Sequence, residues 1–413
     1  MEGIPILNGG AMLLMLGFIL YIGVVGSYIF ERWRIPDVMN LMLFGVILGP
    51  VFHLVDPALL KPWMPVVGAI ALSLILFEGG LGLELNHIIQ RFKVSFILAT
   101  VTFIGSAGFI AIAYRGITGS PWLLCLMLGS VLGCVSSAVI LPISNLVTAP
   151  DKVKTTIHLE AALSDMWGVV ITLVLIRLYQ TPQATVDPGY AFSAIWAAFS
   201  MAIVGAGVFG MAWLWLLDRF RESKFDYMMT LAAVFVLYGI TELMHGSGPM
   251  AALTFGAVLS NARGIAKLFG RTFKFKVDAK ILEFNTEVTF FARTFFFVYL
   301  GLVFSFDSFN FAFWTMLGFA MISILAVRWL VVKGCSTIFP REREWETLYM
   351  AMVPRGLTSA VLVGMVRARV PDTGDFLAHA FAVILITNAI MTWWIWKHEN
   401  PKQEDEVPVK KPA

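Results

Sequence analysis

The chain has 413 residues, 58% of them apolar and only 14% charged, with a formal net charge of +3, whereas soluble domains carry roughly 45–50% apolar and about 25% charged residues. That composition excludes a soluble enzyme. It also excludes a single globular core, because apolar runs of about twenty residues, the length that a bilayer's hydrocarbon requires, recur from one end to the other. The sequence describes an all-α polytopic membrane protein.

Reading apolar runs between charged or Pro/Gly breaks predicts spans at 11–30, 36–53, 64–83, 94–114, 121–145, 155–176, 190–217, 227–243, 249–262, 285–306, 311–332, 345–366 and 376–396, about thirteen in all. No Lys or Arg precedes the first run and no small-residue cleavage site follows it, so it reads as a retained span and not a signal peptide. Cys125, Cys134 and Cys335 lie far apart without C-x-x-C spacing and point to neither a disulfide framework nor a metal site.

Most of the 30 Lys and Arg residues fall in alternate loops, among them Arg32, Arg34, Arg91, Lys93, Lys152, Lys154, Arg219 and Lys224. The opposite side holds Lys61, Arg115, Arg177, Arg367 and Arg369. By the positive-inside rule the N-terminus is outside and the C-terminus cytoplasmic. The small positive net charge is then a topology signal and does not call for a nucleic-acid partner. The segment from Arg263 to Lys280 interleaves Leu268, Phe269, Phe273 and Phe275 with its cations, as a helix lying on anionic lipid would; ordinary positive-inside charge is the alternative. Residues 1–396 make one membrane domain, and 397–413 form a short cytoplasmic tail of disordered composition.

Two spans are wrong for continuous helices. The fifth reads GSVLGCVSSAVILPISN, with Gly129 and Gly133 at small-xxx-small spacing and Pro142 inside it; the twelfth reads MVPRGLTSAVLVG, with Pro354, Arg355 and Gly356 in mid-run. Broken backbone survives at membrane depth only where it is buried in protein or lines a wet cavity, and paired broken segments point to a transporter's binding site. Their odd offset along the chain is that of two inverted repeats, roughly 11–176 and 227–396, linked by the span 190–217.

Intramembrane charges mark ion or proton pathways. The sixth span, TTIHLEAALSDMWGVV, carries Glu160 and Asp165, which five residues at 100° each set roughly 140° apart around the axis, so both cannot face one partner. Arg355 is the expected partner of Glu160, since either charge alone would be costly to bury. That leaves Asp165 as the unpaired carboxylate. The reverse assignment, Asp165 to Arg355 with Glu160 free, stays open on spacing.

At these residues the chain resembles the NhaP-type sodium/proton antiporters of the monovalent cation:proton antiporter superfamily. The resemblance runs through ILFEGGLGLEL, LEAALSD, HGSGPMAALTFGAVLSNA, ARTFFFVYLGL and VPRGLTSAVL, in the family's order. It implies a thirteen-helix homodimer with crossed discontinuous helices and a mobile six-helix core, exchanging one cation for protons by alternating access. The family's span-six pattern, roughly E-x-x-x-N-D, places Glu160 on the glutamate that pairs with Arg355 and Asp165 on the ion-binding aspartate. Two departures stand out. The asparagine before the aspartate is Ser164 here, and the family's T-D-P becomes Val135, Ser136 and Ser137, removing a second carboxylate from the cation site. That loss is similar to the potassium-efflux branch, so K⁺/H⁺ exchange stands as an alternative to Na⁺/H⁺ exchange.

The expected cation and proton site is therefore Asp165, Ser164, Ser136 and Val135, with Glu160 and Arg355 as a structural ion pair and Glu78, Arg293 and Ser137 around it. Arg293 is expected to pair with a neighbouring helix. Arg328, near the predicted end of its span, is expected to snorkel to the surface. Glu242 and His245 form one Glu-x-x-His step without further ligands, so neither a resident metal nor a cofactor is expected. An intramembrane protease would need G-x-S-x-G or H-E-x-x-H, and neither occurs, so the chain is not expected to be an enzyme. A cation channel is the remaining alternative, since broken helices also line pores. With Glu160 neutralised, exchange of one cation for one proton at Asp165 is electroneutral, and a multi-pass location in the plasma membrane follows.

Overall fold

The computed structural model describes residues 9–33, 36–55, 64–82, 85–180, 188–219, 226–244, 246–268, 279–306, 309–371 and 373–404. All the secondary structure in these residues is helical. In chain order the helices are α1 (Gly9–Trp33), α2 (Asp37–Val46, continued by a π-helical turn over Ile47–Val51), α3 (Met64–Leu81), α4 (Leu85–Thr118), α5 (Trp122–Gly133) and α6 (Ser137–Leu146). They continue with α7 (Asp151–Gln180), α8 (Pro188–Arg219), α9 (Asp226–Leu243), α10 (Gly248–Ser260), α11 (Ala262–Leu268) and α12 (Ala279–Leu302). Last come α13 (Phe311–Ile338), a 3₁₀ turn over Pro340–Trp345, α14 (Glu346–Ala351), α15 (Leu357–Arg369) and α16 (Phe376–Glu404).

Six stretches are long and apolar enough to cross a bilayer, and five shorter apolar helices accompany them. The chain is thus a multi-pass membrane protein. The stretch Trp122–Ser144 is 83% buried within the protein, against 28% for Ser200–Leu217, so the broken fifth span is central and α8 peripheral.

The helices sort into two groups by packing. In one, α3 packs most extensively on α10, α12 lies against α2 and α3, and α8 and α9 cover α10. In the other, α4 is the hub, flanked by α5, α7 and α13, with α15 against α5 and α7 and α16 against α13 and α15. The groups meet where α15 touches α3 and α12, where α7 touches α8 and where α16 touches α2.

Close approach within each group depends on missing side chains. A Cβ on Gly80 would strike the backbone of Leu253, Gly256 and Ala257, and one on Gly256 would strike that of Phe77, Gly80 and Leu81, so α3 and α10 cross backbone to backbone. The small-xxx-small pair does the same for α5, because Gly129 and Gly133 both face Ala107 on α4.

Both anticipated breaks are present. α5 ends at Gly133, and Cys134 and Ser136 are extended before α6 starts. α14 ends at Ala351, and α15 starts after Gly356. Pro354 has no N–H to continue a helix and biases Val353 away from helical backbone. Two expectations about length do not hold. α13 continues to Ile338, beyond the predicted end of its span, and α16 continues to Glu404, so residues 397–404 are helical where composition suggested disorder. Of the Arg263–Lys280 segment, residues 269–278 lie outside the described residues, as do His245 and residues 405–413.

Candidate functional site

The site is built where the two breaks meet against α7. Three successive amides of the first break are each held from outside their own helix. Val135 N–H donates to Ser164 Oγ at 2.8 Å, Ser136 N–H to Pro354 O at 3.0 Å, and Ser137 N–H to Asp165 Oδ2 at 2.9 Å. Buried backbone donors need partners, and here α7 and the second break supply them. Gly356 lies close against Ser136 and Val139, leaving no room for a side chain.

Asp165 is 0% exposed. Its Oδ2 accepts from both the amide and the hydroxyl of Ser137, the latter at 2.5 Å. The carboxylate therefore caps the N-terminus of α6, where unsatisfied amides and the helix dipole favour negative charge. Its Oδ1 has no hydrogen-bond partner among the described residues, and neither does the buried Ser136 Oγ. A buried acceptor without a partner is rare enough to call for an explanation such as an ion or water.

Arg355, also fully buried, serves the opposite helix ends. Its Nε donates to Leu132 O at 2.9 Å and its Nη2 to Gly133 O at 3.2 Å, while Nη1 reaches Val353 O at 2.6 Å. Leu132 and Gly133 are the last residues of α5, whose carbonyls carry the negative end of the dipole. Its own backbone is fixed by Thr387 and Asn388 of α16, the former accepting from Arg355 N–H at 3.1 Å and the latter donating to Arg355 O at 2.7 Å.

The expected Glu160–Arg355 pair is not formed. Glu160 is bound by Arg328, whose Nη1 pairs with Oε1 and whose Nη2 donates to Oε2 at 3.2 Å. Arg328 is 1% exposed, so it does not snorkel. The physical reason is helix length: α13 runs ten residues past Arg328 to Ile338, about 15 Å of further helix, which leaves the guanidinium too deep to reach the surface. Arg328 Nε also donates to Tyr349 O at 2.8 Å. Tyr349 OH in turn donates to Glu342 Oε2 at 2.6 Å, and Arg91 Nη1 to Glu342 Oε1 at 2.6 Å. Glu160 is thus one end of a polar chain through α13 and α14 to α4. The alternative pairing of Asp165 with Arg355 is not formed either.

A family model described as "Sodium/hydrogen exchanger, transmembrane" matches residues 17–397. The chain belongs to that family. Among relatives of this exchanger-family chain, the K(+)/H(+) antiporter NhaP of Alkalimonas amylolytica is 25% identical, over 95% of this chain and 68% of its own length. Na(+)/H(+) antiporter 1 of Methanocaldococcus jannaschii is 25% identical over 87% of this chain and 84% of its own. The solved structure of the sodium proton antiporter MjNhaP1 from that organism superposes with a TM-score of 0.79 at 21% identity, covering 92% of this chain and 96% of that one, so the two share a fold.

Within this exchanger fold, Asp165, Ser164, Ser136, Val135 and Ser137 come together. Ser137 bonds Asp165 directly, and Ser164 acts as a bracket for Val135. Glu78 and Arg293 lie in the other helix group. Glu78 Oε1 accepts from Thr286 at 3.2 Å, and Arg293 pairs with Asp37 of α2 at 2.6 Å. Glu242 Oε1 accepts from Gly248 N–H at 3.0 Å, fixing the turn into α10. Sequence reasoning misplaced Arg328 and missed Thr387 and Asn388. Arg328 had a signal, since an intramembrane arginine calls for an intramembrane acid; the other two are neutral and announce nothing.

Proposed function

We propose that the protein exchanges a monovalent cation, Na⁺ or K⁺, for H⁺ by alternating access, with Asp165 as the group that carries either ion. The observation that carries this reading is the fully buried Asp165 carboxylate, one oxygen held by Ser137 at the start of α6 and the other without a partner among the described residues. A proton and a cation compete for that free oxygen. Because Glu160 is paired with Arg328, and Arg355 keeps its charge throughout while held by helix-end carbonyls, the loaded forms differ by one cation against one proton, and exchange is electroneutral. Burial of the whole site favours a carrier over a channel.

In this reading Asp165, Ser136, Ser164 and Val135 form the cation and proton site. The protein crosses the plasma membrane about thirteen times, with the N-terminus outside and a cytoplasmic C-terminus. The two inverted repeats meet at the crossed breaks. It works as a homodimer in contact with membrane lipid, one helix group serving as scaffold and the Asp165-bearing group as the moving part. The named relatives, a K⁺/H⁺ and a Na⁺/H⁺ antiporter, support both cation choices.

Reconstitution into liposomes with an imposed pH gradient, followed by addition of Na⁺, K⁺ and Li⁺ in turn, tests this directly. Dissipation of ΔpH by at least one of them, unchanged when the membrane potential is clamped, is expected. Cation flux that neither responds to nor moves protons would instead mean a channel.

A further inference from the structure

Many threonines in the helices of this protein satisfy their hydroxyls locally. Thr118, Thr155, Thr156, Thr241, Thr315 and Thr387 each donate to the carbonyl four residues earlier. Thr358 does not. It is the second residue of α15, so Pro354, four residues earlier, lies in the break and no complete helical turn precedes it. Pro354 O already receives the Ser136 amide and Arg355 O the Asn388 side chain. Thr358 is 1% exposed and its Oγ1 has no hydrogen-bond partner among the described residues.

Thr102 and Thr294 have similarly unpartnered hydroxyls, so the state alone assigns nothing. Location distinguishes Thr358. It follows by two residues the Gly356 that abuts Ser136, its neighbour Ser359 lies 3.4 Å from Cys134 Sγ of the first break, and α15 packs on α7, which carries Asp165. Three elements, α7, the first break and α15, thus each bring one buried oxygen without a partner: Asp165 Oδ1, Ser136 Oγ and Thr358 Oγ1. A buried oxygen without a partner is costly, and these three, one carboxylate oxygen and two hydroxyls, lie on elements that pack together at the crossing and offer a coordination shell for a cation.

We propose that Thr358 Oγ1 is a ligand of the transported cation, and that with Ser136 it biases the site toward a large, weakly hydrated monovalent ion such as K⁺. This rests on the exchange reading above. The shell holds one carboxylate and two neutral hydroxyls. Selectivity depends on the number and field strength of coordinating oxygens, and a low-field shell compensates the dehydration of K⁺ better than that of Na⁺.

The test uses the full-length protein and Thr358→Val, which keeps the side chain's shape and removes only the hydroxyl, with Thr358→Ser as the rescue. In detergent with choline as the sole cation, Thr358→Val is expected to melt at or above wild type, because it deletes a polar atom that has no protein partner. Added KCl should raise the melting temperature of wild type and Thr358→Ser but not of Thr358→Val. In proteoliposomes the apparent KM for K⁺ should rise about ten- to a hundredfold in Thr358→Val, the loss of one hydrogen-bond-strength contact to a charge. The maximal rate should change much less, and Thr358→Ser should match wild type.

Wild-type KM and a wild-type KCl shift in Thr358→Val would overturn the proposal. So would a lower melting temperature in choline, which would give the hydroxyl a structural partner, or a KM increase for Na⁺ larger than that for K⁺. Wild-type protein that dissipates no pH gradient with any cation would instead refute the exchange reading, and the KCl-dependent melting shift would still decide whether Thr358 is a ligand.

Discussion

At the residue scale, two arginines divide work that charge counting alone would give to one. Arg328 neutralises Glu160, and Arg355 binds the carbonyls of Leu132, Gly133 and Val353. Glu160→Gln and Arg328→Ala should each destabilise by about 3–5 kcal/mol, since each leaves a buried charge uncompensated. Combining them should recover part of the loss, a coupling of about 1–3 kcal/mol, whereas Glu160→Gln with Arg355→Ala should couple less. Melting curves of the four variants in each cycle check this, and a larger coupling in the 160–355 cycle would reverse the assignment. Ser136 is the second residue-scale case. Ser136→Asp adds a carboxylate to the break that Asp165 caps, so the apparent KM for Na⁺ should fall relative to that for K⁺, with a lower melting temperature from the extra buried charge. An unchanged Na⁺/K⁺ ratio would place Ser136 outside the ion's reach.

At the scale of elements, the glycine crossings separate two kinds of position. Gly80→Ala or Gly256→Ala sets a methyl against backbone that cannot move without parting α3 from α10, and should cost about 1–3 kcal/mol. Gly239→Ala, within α9 and with nothing near its would-be Cβ, should gain about 0.4–1 kcal/mol. Thermal melts that rank the two the other way would contradict the packing. The breaks were legible in the sequence because Pro354–Gly356 and Gly133–Ser137 are local signals, and the burial of Asp165 was legible because two carboxylates in one apolar run, set apart around the helix, cannot both face one partner. The partner of Glu160 was not. Pairing across helices depends on the depth at which each side chain enters, and the predicted end of α13 put Arg328 near the surface when the helix runs on to Ile338. Thr358 was invisible for another reason: its hydroxyl stands out only because the carbonyl a threonine ordinarily uses, here Pro354 O, lies in the break and accepts the Ser136 amide instead.

At the scale of the whole molecule, the Asp165-bearing helix group touches the other group through few elements, chiefly α15 against α3 and α12 and α7 against α8, an arrangement suited to relative movement. Topology is testable without transport, because Cys125, Cys134 and Cys335 are all buried. With N-terminus outside, a cysteine placed at the exposed Lys152 should react with impermeant reagent only from the cytoplasmic face, and one at the exposed Thr118 only from outside. Labelling of both from one side would overturn the orientation. The central claim is that one carboxylate carries both ions, and ΔpH dissipation by Asp165→Asn proteoliposomes beside wild type tests it most directly. An amide cannot alternate between proton-bound and cation-bound forms, so wild type should exchange K⁺ or Na⁺ for protons and Asp165→Asn, folded and at equal protein content, should not; wild-type exchange by Asp165→Asn would contradict the account.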